Sequence, residues 1–435
     1  MKYFSSDNYN HVVSLYDAVT TSIAPGGGVY MPVSLPYIPT ALFNNISDMS
    51  LQEIAYVVGT SLFGSDIPAE TINDIVKDTL SFDIPLVKIK PGIYSLELFH
   101  GPTKSFKDIG ARFMARLLQY FSQSGSDNKT LNVIVTTTGN TGSAVANAFA
   151  GLESVNVFVL TPKTDSLQKS ALDIPPSATN IIPVEVRSDY DTCVKITHKA
   201  YLDKELNRAI SLTTANSLNI ARLLPQTFFF FHAYSRLLSE NVDARKIAIS
   251  TPCGNLGNLT AALYATLMGL PISRIMATGR GNERLWGHIR RGKLSLNEFN
   301  SNALATNLSR INHIMTDSPH ISTMVDCHTL SNDEVESEIR NTYHNYGYLL
   351  DRNSAMASHS LVNNIRKDET GVFLATSHPM KHREDLENIL GERISVNSLD
   401  YAEDIANPPR RHRIQLSPTL PALKKLILEY NNTTL

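Results

Sequence analysis

From Leu131 onward, short apolar segments alternate with helical ones, and several joints are rich in glycine. Asn132–Val135 reads as a strand, followed by the loop TTTGNTG and the helix SAVANAFA. Val155–Leu160 and Ile181–Val186 read as further strands, the second followed by a helix near Tyr190–Leu206. Lys246–Ser250 leads into the loop TPCGNLGN and the helix LTAALYATLMG, and Ile275–Ala277 and Gly371–Thr376 read as two more strands. Strands joined through helices run parallel, so this alternation predicts an α/β fold with a mostly parallel sheet covered on both faces. Ligands of such sheets bind beyond the carboxyl ends of the strands, where the glycine loops lie.

The 435 residues suffice for two or three domains with substantial cores. Residues 1–92 read as a separate, mostly helical N-terminal unit. Residues 93–435 read as the main region of two α/β subdomains, the smaller spanning roughly 110–235. The polar stretch 279–345 reads as an insertion or lid, and PPRRHR near the end as a solvated basic turn before a helix Thr419–Tyr430. A formal charge of -2 gives no global attraction to nucleic acid or acidic membranes. The start, MKYFSSDNYN, lacks an apolar signal core, and the aromatic-rich run Thr227–Tyr234 is too short to span a bilayer. Cys193, Cys253 and Cys327 lie far apart and without metal-ligand spacing. Sparse thiols of this kind point to a reducing, cytoplasmic setting, with no metal.

The stretch LELFHGPTKSFKDIGARFMARLLQY, Leu96–Tyr120, reads as a loop feeding an amphipathic helix. Gly101-Pro102 marks a turn, and Thr103 or Ser105 is a candidate N-cap. Ile109, Phe113, Leu117 and Phe121 recur every four residues and predict one buried face. Lys107 falls where loop meets helix. The positive end of a helix dipole lowers a lysine's pKa and favours the free amine, which a carbonyl cofactor needs for a Schiff base. A lysine at a helix start is also an ordinary surface residue, so the loops that follow decide its meaning.

Thr138-Gly139-Asn140-Thr141-Gly142 joins strand to helix, and its amides and hydroxyls suit a carboxylate or phosphate at the helix N-terminus. Gly254-Asn255-Leu256-Gly257-Asn258 has the same setting, and its glycines let backbone N–H groups converge on an anion. Neither loop is followed by Gly-Lys-Ser/Thr, which excludes a Walker loop, and neither is a full dinucleotide fingerprint. A lysine before a helix, then GNTG, then GNLGN, suggests pyridoxal phosphate.

FHGPTKSFKDIGARFMARLL, TTTGNTGSAVANAF, TTANSLNIARLLPQ, TPCGNLGNLTAAL and FLATSHPMKH resemble threonine synthase, in the longer form with an extra N-terminal domain. The resemblance implies the tryptophan-synthase-β-like, fold-type II architecture of pyridoxal phosphate enzymes. It implies a lyase of threonine biosynthesis, converting O-phosphohomoserine and water to threonine and phosphate, as a monomer or homodimer acting on a small amino-acid substrate. By motif, Lys107 is then the Schiff-base lysine, and Asn140 faces the cofactor's ring hydroxyl. Gly254, Asn255, Leu256, Gly257 and Asn258 hold the cofactor phosphate. The Thr376 hydroxyl approaches the pyridine nitrogen and leaves it largely unprotonated. Thr138, Thr141, Asn216, Ser217, Asn219, Arg222 and Lys381 are candidates for the substrate pocket, Arg222 also fitting a surface ion pair. His100 and His378, each beside a turn, read as structural.

The chain departs from the family pattern at Lys104-Ser105, at Asn140 where the longer form often has aspartate, and at Cys253 where serine is usual. It departs again at Thr278–Arg284, at Thr306–Arg310 and in the segment after Leu160. Lys104, Arg280, Arg284 and Arg310 add positive charge compatible with an anionic substrate tail, each also fitting a solvated surface.

Overall fold

The computed structural model describes residues 1–124, 130–163, 172–279, 287, 289, 305–394 and 411–433. Two largely parallel sheets form the frame. In the six-stranded sheet the spatial order is Val325–Thr329, Ile272–Gly279, Ile247–Pro252, Thr370–Ala375, Ile93–Glu97, and then the antiparallel edge Leu86–Lys90. In the five-stranded sheet it is Ile414–Leu416, Ile181–Val186, Val155–Pro162, Leu131–Thr136 and Ser211–Thr214, parallel throughout. Leu131–Thr136, Val155–Pro162 and Ile181–Val186 are buried at every residue, as a sheet clad in helices on both faces requires.

The polar stretch is not a lid from residue 305 on. It forms the helix Ala305–Asp317, the edge strand Val325–Thr329 and the helix Asn332–Tyr346. That strand is half-buried and interrupted by Asp326 and His328, which hides it from a search for apolar runs. Residues 280–304, except Gly287 and Ile289, lie outside the described residues, and with them Arg280 and Arg284. The basic turn is docked rather than solvated where it is described. Arg411 donates to the carbonyls of Pro175, Pro176 and Ala178, and Ile414–Leu416 then joins the smaller sheet. The last helix follows as Leu420–Thr433.

The N-terminal unit carries an antiparallel sheet, Asn8–Val13, Tyr3–Ser5 and Tyr30–Pro32, beside its helices. Leu51–Phe63 starts at a capping box in which Ser50 and Glu53 satisfy each other's backbone N–H. The hairpin Leu86–Glu97 spans the expected boundary at residue 92 and belongs to the larger sheet. Phe63 stacks 5.0 Å from Phe113, and Phe113 lies 5.8 Å from Phe228, so the unit shares one apolar core with the Lys107 helix. Phe228–Phe231 are buried all round in the helix Thr227–Ser239, as an apolar run inside a large domain must be. Among the described residues no helix is long and apolar enough to cross a membrane.

Candidate active site

The helix begins at Lys107 and runs to Ser124, and Ile109, Phe113, Leu117 and Phe121 are buried on one face. The loop before it is tied to the end of the strand Thr370–Ala375. Phe106 N–H donates to Thr376 O at 3.0 Å, and His378 N–H donates to Lys104 O at 3.1 Å. Thr103 does not cap the helix. Its N–H donates at 2.9 Å to the buried Asp108 carboxylate, and its hydroxyl donates to the same group. Ser105 Oγ accepts from Lys107 N–H at 3.4 Å, the nearest thing to a cap. Lys107 and Thr376, far apart in sequence, are thus set by adjoining backbone.

Both glycine loops open on one cavity of about 420 Å³, with Lys107 on its wall. The first comes from the smaller sheet, where Thr137 Oγ1 accepts from Gly139 N–H at 2.9 Å and Gly142 N–H at 3.0 Å and so shapes the turn. The helix Asn140–Phe149 then presents its N-terminus. The second comes from the larger sheet. There Leu256 takes a left-handed conformation, φ 59°, and the helix Gly257–Leu267 presents its N-terminus. Both sets of open amides lie at carboxyl ends of parallel strands, the place where such folds bind anions.

Burial, then the positive charges of Arg222 and Lys381, push the Lys107 amine down to about 8. Partial burial and these neighbouring cations both favour the uncharged amine. Arg222 is buried and lies behind Lys107, donating to Ala215 O and, at 3.4 Å, to Lys107 O. It is not a surface ion pair.

Lys107, Thr138, Asn140, Thr141, Asn216, Ser217, Arg222, Gly254–Asn258 and Thr376 all line the cavity. Asn219 does not. Its Nδ2 donates to Val19 O at 2.8 Å and to Ser22 Oγ at 2.7 Å, and its Oδ1 accepts from Ala221 N–H, so the side chain ties the N-terminal unit to the main region. Asn216 reaches the wall but both ends of its amide bind the Thr136 backbone, extending the sheet. Lys381 donates to Thr103 O at 2.8 Å, outside the lining, and steadies the Lys107 loop. Arg310 is neither a substrate ligand nor a surface residue, being fully buried against backbone carbonyls. His378 caps the turn Pro379–His382 and is held neutral, pushed down to about 4 by burial. His100 bonds Glu97 at 2.7 Å.

Comparison with known proteins places this geometry. The pyridoxal-phosphate dependent enzyme family matches residues 82–377, and the threonine synthase N terminus family matches residues 2–80. Threonine synthase of Haemophilus influenzae is 33% identical, over 88% of this chain and 90% of its own. That of Buchnera aphidicola subsp. Acyrthosiphon pisum is 32% identical, over 99% of this chain and 100% of its own. The chain belongs to the threonine synthase family. The crystal structure of threonine synthase from Escherichia coli superposes with a TM-score of 0.86 at 28% identity, covering 99% of this chain and 100% of that one.

This family member is accordingly a pyridoxal-phosphate dependent lyase of fold type II. Its cavity fits that cofactor. An amine on the cavity wall stands ready for a carbonyl, and two helix N-termini stand ready for anions. Asn258 Oδ1 and Gln226 Oε1, both on the cavity wall and buried, have no hydrogen-bond partner among the described residues. Polar atoms this deep are ordinarily paired, and their position on the cavity wall suits a polar ligand. Sequence reading missed Gln226, Tyr190 and Asn353 on the wall, because each is brought there by an element remote from the glycine loops. It also missed Thr137, which shapes the first glycine loop, and Asp108, which holds Thr103.

Proposed function

We propose that the protein converts O-phospho-L-homoserine and water to L-threonine and phosphate, acting in the cytoplasm as a monomer or homodimer. The observation that carries this reading is Lys107 standing in one cavity with both glycine loops, which reach it from different sheets. Pyridoxal phosphate, when bound, supplies an electron sink for charge developing on the substrate.

The chain's residues divide the remaining work. Gly254–Asn258 would hold the cofactor phosphate through amides at the start of the helix Gly257–Leu267. With the cofactor bound, Asn140 on the cavity wall would meet the ring hydroxyl, and Thr376 would meet the ring nitrogen with a hydroxyl rather than a carboxylate. Thr138 and Thr141 take the substrate carboxylate, with Ser217 beside them. The Lys107 amine, pushed down to about 8, is suited to remove and return protons at Cα and Cβ. Arg222 positions Lys107 rather than touching substrate.

The test is phosphate release from O-phosphohomoserine by the cofactor-loaded protein, with threonine identified as the product. Phosphate and threonine in equal amounts support the reading. A cofactor absorbance band with neither product would assign the chain to a related replacement reaction on another amino acid.

A further inference from the structure

Arg310 is the largest of the fully buried side chains, and no carboxylate among the described residues pairs with it. Its guanidinium meets carbonyls instead. It donates to Tyr30 O at 2.9 Å, Leu218 O at 2.6 Å and Ser217 O at 3.3 Å. Nη1 also donates at 2.7 Å to Asn307 Oδ1. Asn307, itself fully buried, turns its Nδ2 the other way and donates to Asn255 O at 2.7 Å. The N-terminal sheet, the Asn216–Asn219 segment and the loop Gly254–Asn258 therefore converge on two side chains of the helix Ala305–Asp317.

The contact at Asn255 has a directional consequence. In a trans peptide the C=O and the following N–H point in opposite directions. Holding Asn255 O against Asn307 turns Leu256 N–H away from Asn307. Leu256 also sits at φ 59°, a left-handed conformation that residues with a Cβ rarely adopt and that needs support from its surroundings. Asn307 supplies that support, and Arg310 fixes which way the Asn307 amide faces.

We propose that Asn307 and Arg310 are positioning residues for the cofactor phosphate, shaping the loop Gly254–Asn258 from the N-terminal sheet outward. The proposal rests on the reading that this loop holds that phosphate.

The experiment titrates the cofactor-free wild type, Asn307→Asp and Asn307→Ser with pyridoxal phosphate and with pyridoxal, which lacks the phosphate, and melts each protein without cofactor. Asn307→Asp keeps the acceptor for Arg310, gives that cation a counter-charge and loses the donor to Asn255. Asn307→Ser is uncharged and too short to reach Asn255. We expect Asn307→Asp to melt at or above the wild-type temperature. We expect both variants to bind pyridoxal phosphate about tenfold more weakly, and pyridoxal within about twofold of wild type. A structural role alone would move melting temperature and leave the preference for the phosphorylated ligand intact, and that result overturns the proposal. Weakening in Asn307→Asp but not Asn307→Ser would be charge repulsion, and also overturns it. A wild type that binds both ligands equally removes the phosphate-loop reading, and the proposal with it.

Discussion

Lys107 is the residue on which the chemistry turns, and its ionisation reports its surroundings. Folding lowers its pKa from 10.5 to about 8, mainly by burial. Below pH 8 the folded state must carry a partly desolvated cation on the cavity wall, a shift worth at most about 3 kcal/mol relative to the unfolded chain. Between about 8 and 10.5 the unfolded chain binds more protons than the folded one, so stability rises with pH across that window. Lys107→Met removes the penalty. The cofactor-free variant is expected to be more stable than wild type by up to about 3 kcal/mol at pH 7, the gap closing towards pH 10.5. Urea unfolding of both proteins at several pH values measures this, and a gap independent of pH would show that folding leaves the Lys107 pKa unshifted. Lys107 was readable in the sequence because its neighbours in the chain, the turn and the amphipathic helix, are also its neighbours in space. Asn219 and Arg310 were not, because their roles depend on which backbone carbonyls the fold brings to them.

At the scale of elements, two glycines separate packing from ligand binding. Gly110 lies one turn into the Lys107 helix, where a Cβ would come 2.6 Å from Arg222 O and 3.1 Å from Arg222 Nε. Alanine in a helix gains up to about 1 kcal/mol over glycine, but a clash with a fixed carbonyl typically costs about 1–3 kcal/mol. Gly110→Ala is therefore expected to destabilise, by about 1–2 kcal/mol in urea unfolding, against the direction of helix propensity. Gly257 is the opposite case. A Cβ there meets only the Gln226 amide at 3.5 Å and Asn307 Nδ2 at 3.9 Å, ordinary contact distances. Gly257→Asp should fold, yet its carboxylate faces the proposed phosphate. Two like charges about 5 Å apart at an effective dielectric of roughly 20 repel by about 3 kcal/mol, roughly a hundredfold in affinity. Cofactor titration of the folded variant measures it, and unchanged affinity would place the phosphate elsewhere. The glycine loops and the long strands could be read from the sequence because each is a continuous local pattern. The edge strands Ser211–Thr214, Val325–Thr329 and Ile414–Leu416 are short, and two of them only partly buried, so their pairing is decided by the sheet they join.

The whole molecule bears on how independent the N-terminal unit is. The sequence divides at residue 92, and a chain of this length ordinarily unfolds in stages, domain by domain. The packing argues otherwise for this boundary. Phe63, fully buried, belongs to the N-terminal unit, yet its ring lies 5.0 Å from Phe113 of the Lys107 helix, and Phe113 continues the contact to Phe228. Asn219 and Arg310 add hydrogen bonds to Val19 and Tyr30 across the same seam. A unit with its own core would lose only its own contacts when Phe63 is truncated. A unit sharing one core passes the loss to the cofactor cavity. Phe63→Ala should remove about 3–5 kcal/mol and lower a single thermal transition by several degrees. Circular dichroism, which follows every helix, and the cofactor's absorbance, which follows the cavity, should shift together. An early transition in circular dichroism with cofactor absorbance unmoved would show that the N-terminal unit folds apart from the site, and that the shared apolar core does not couple them.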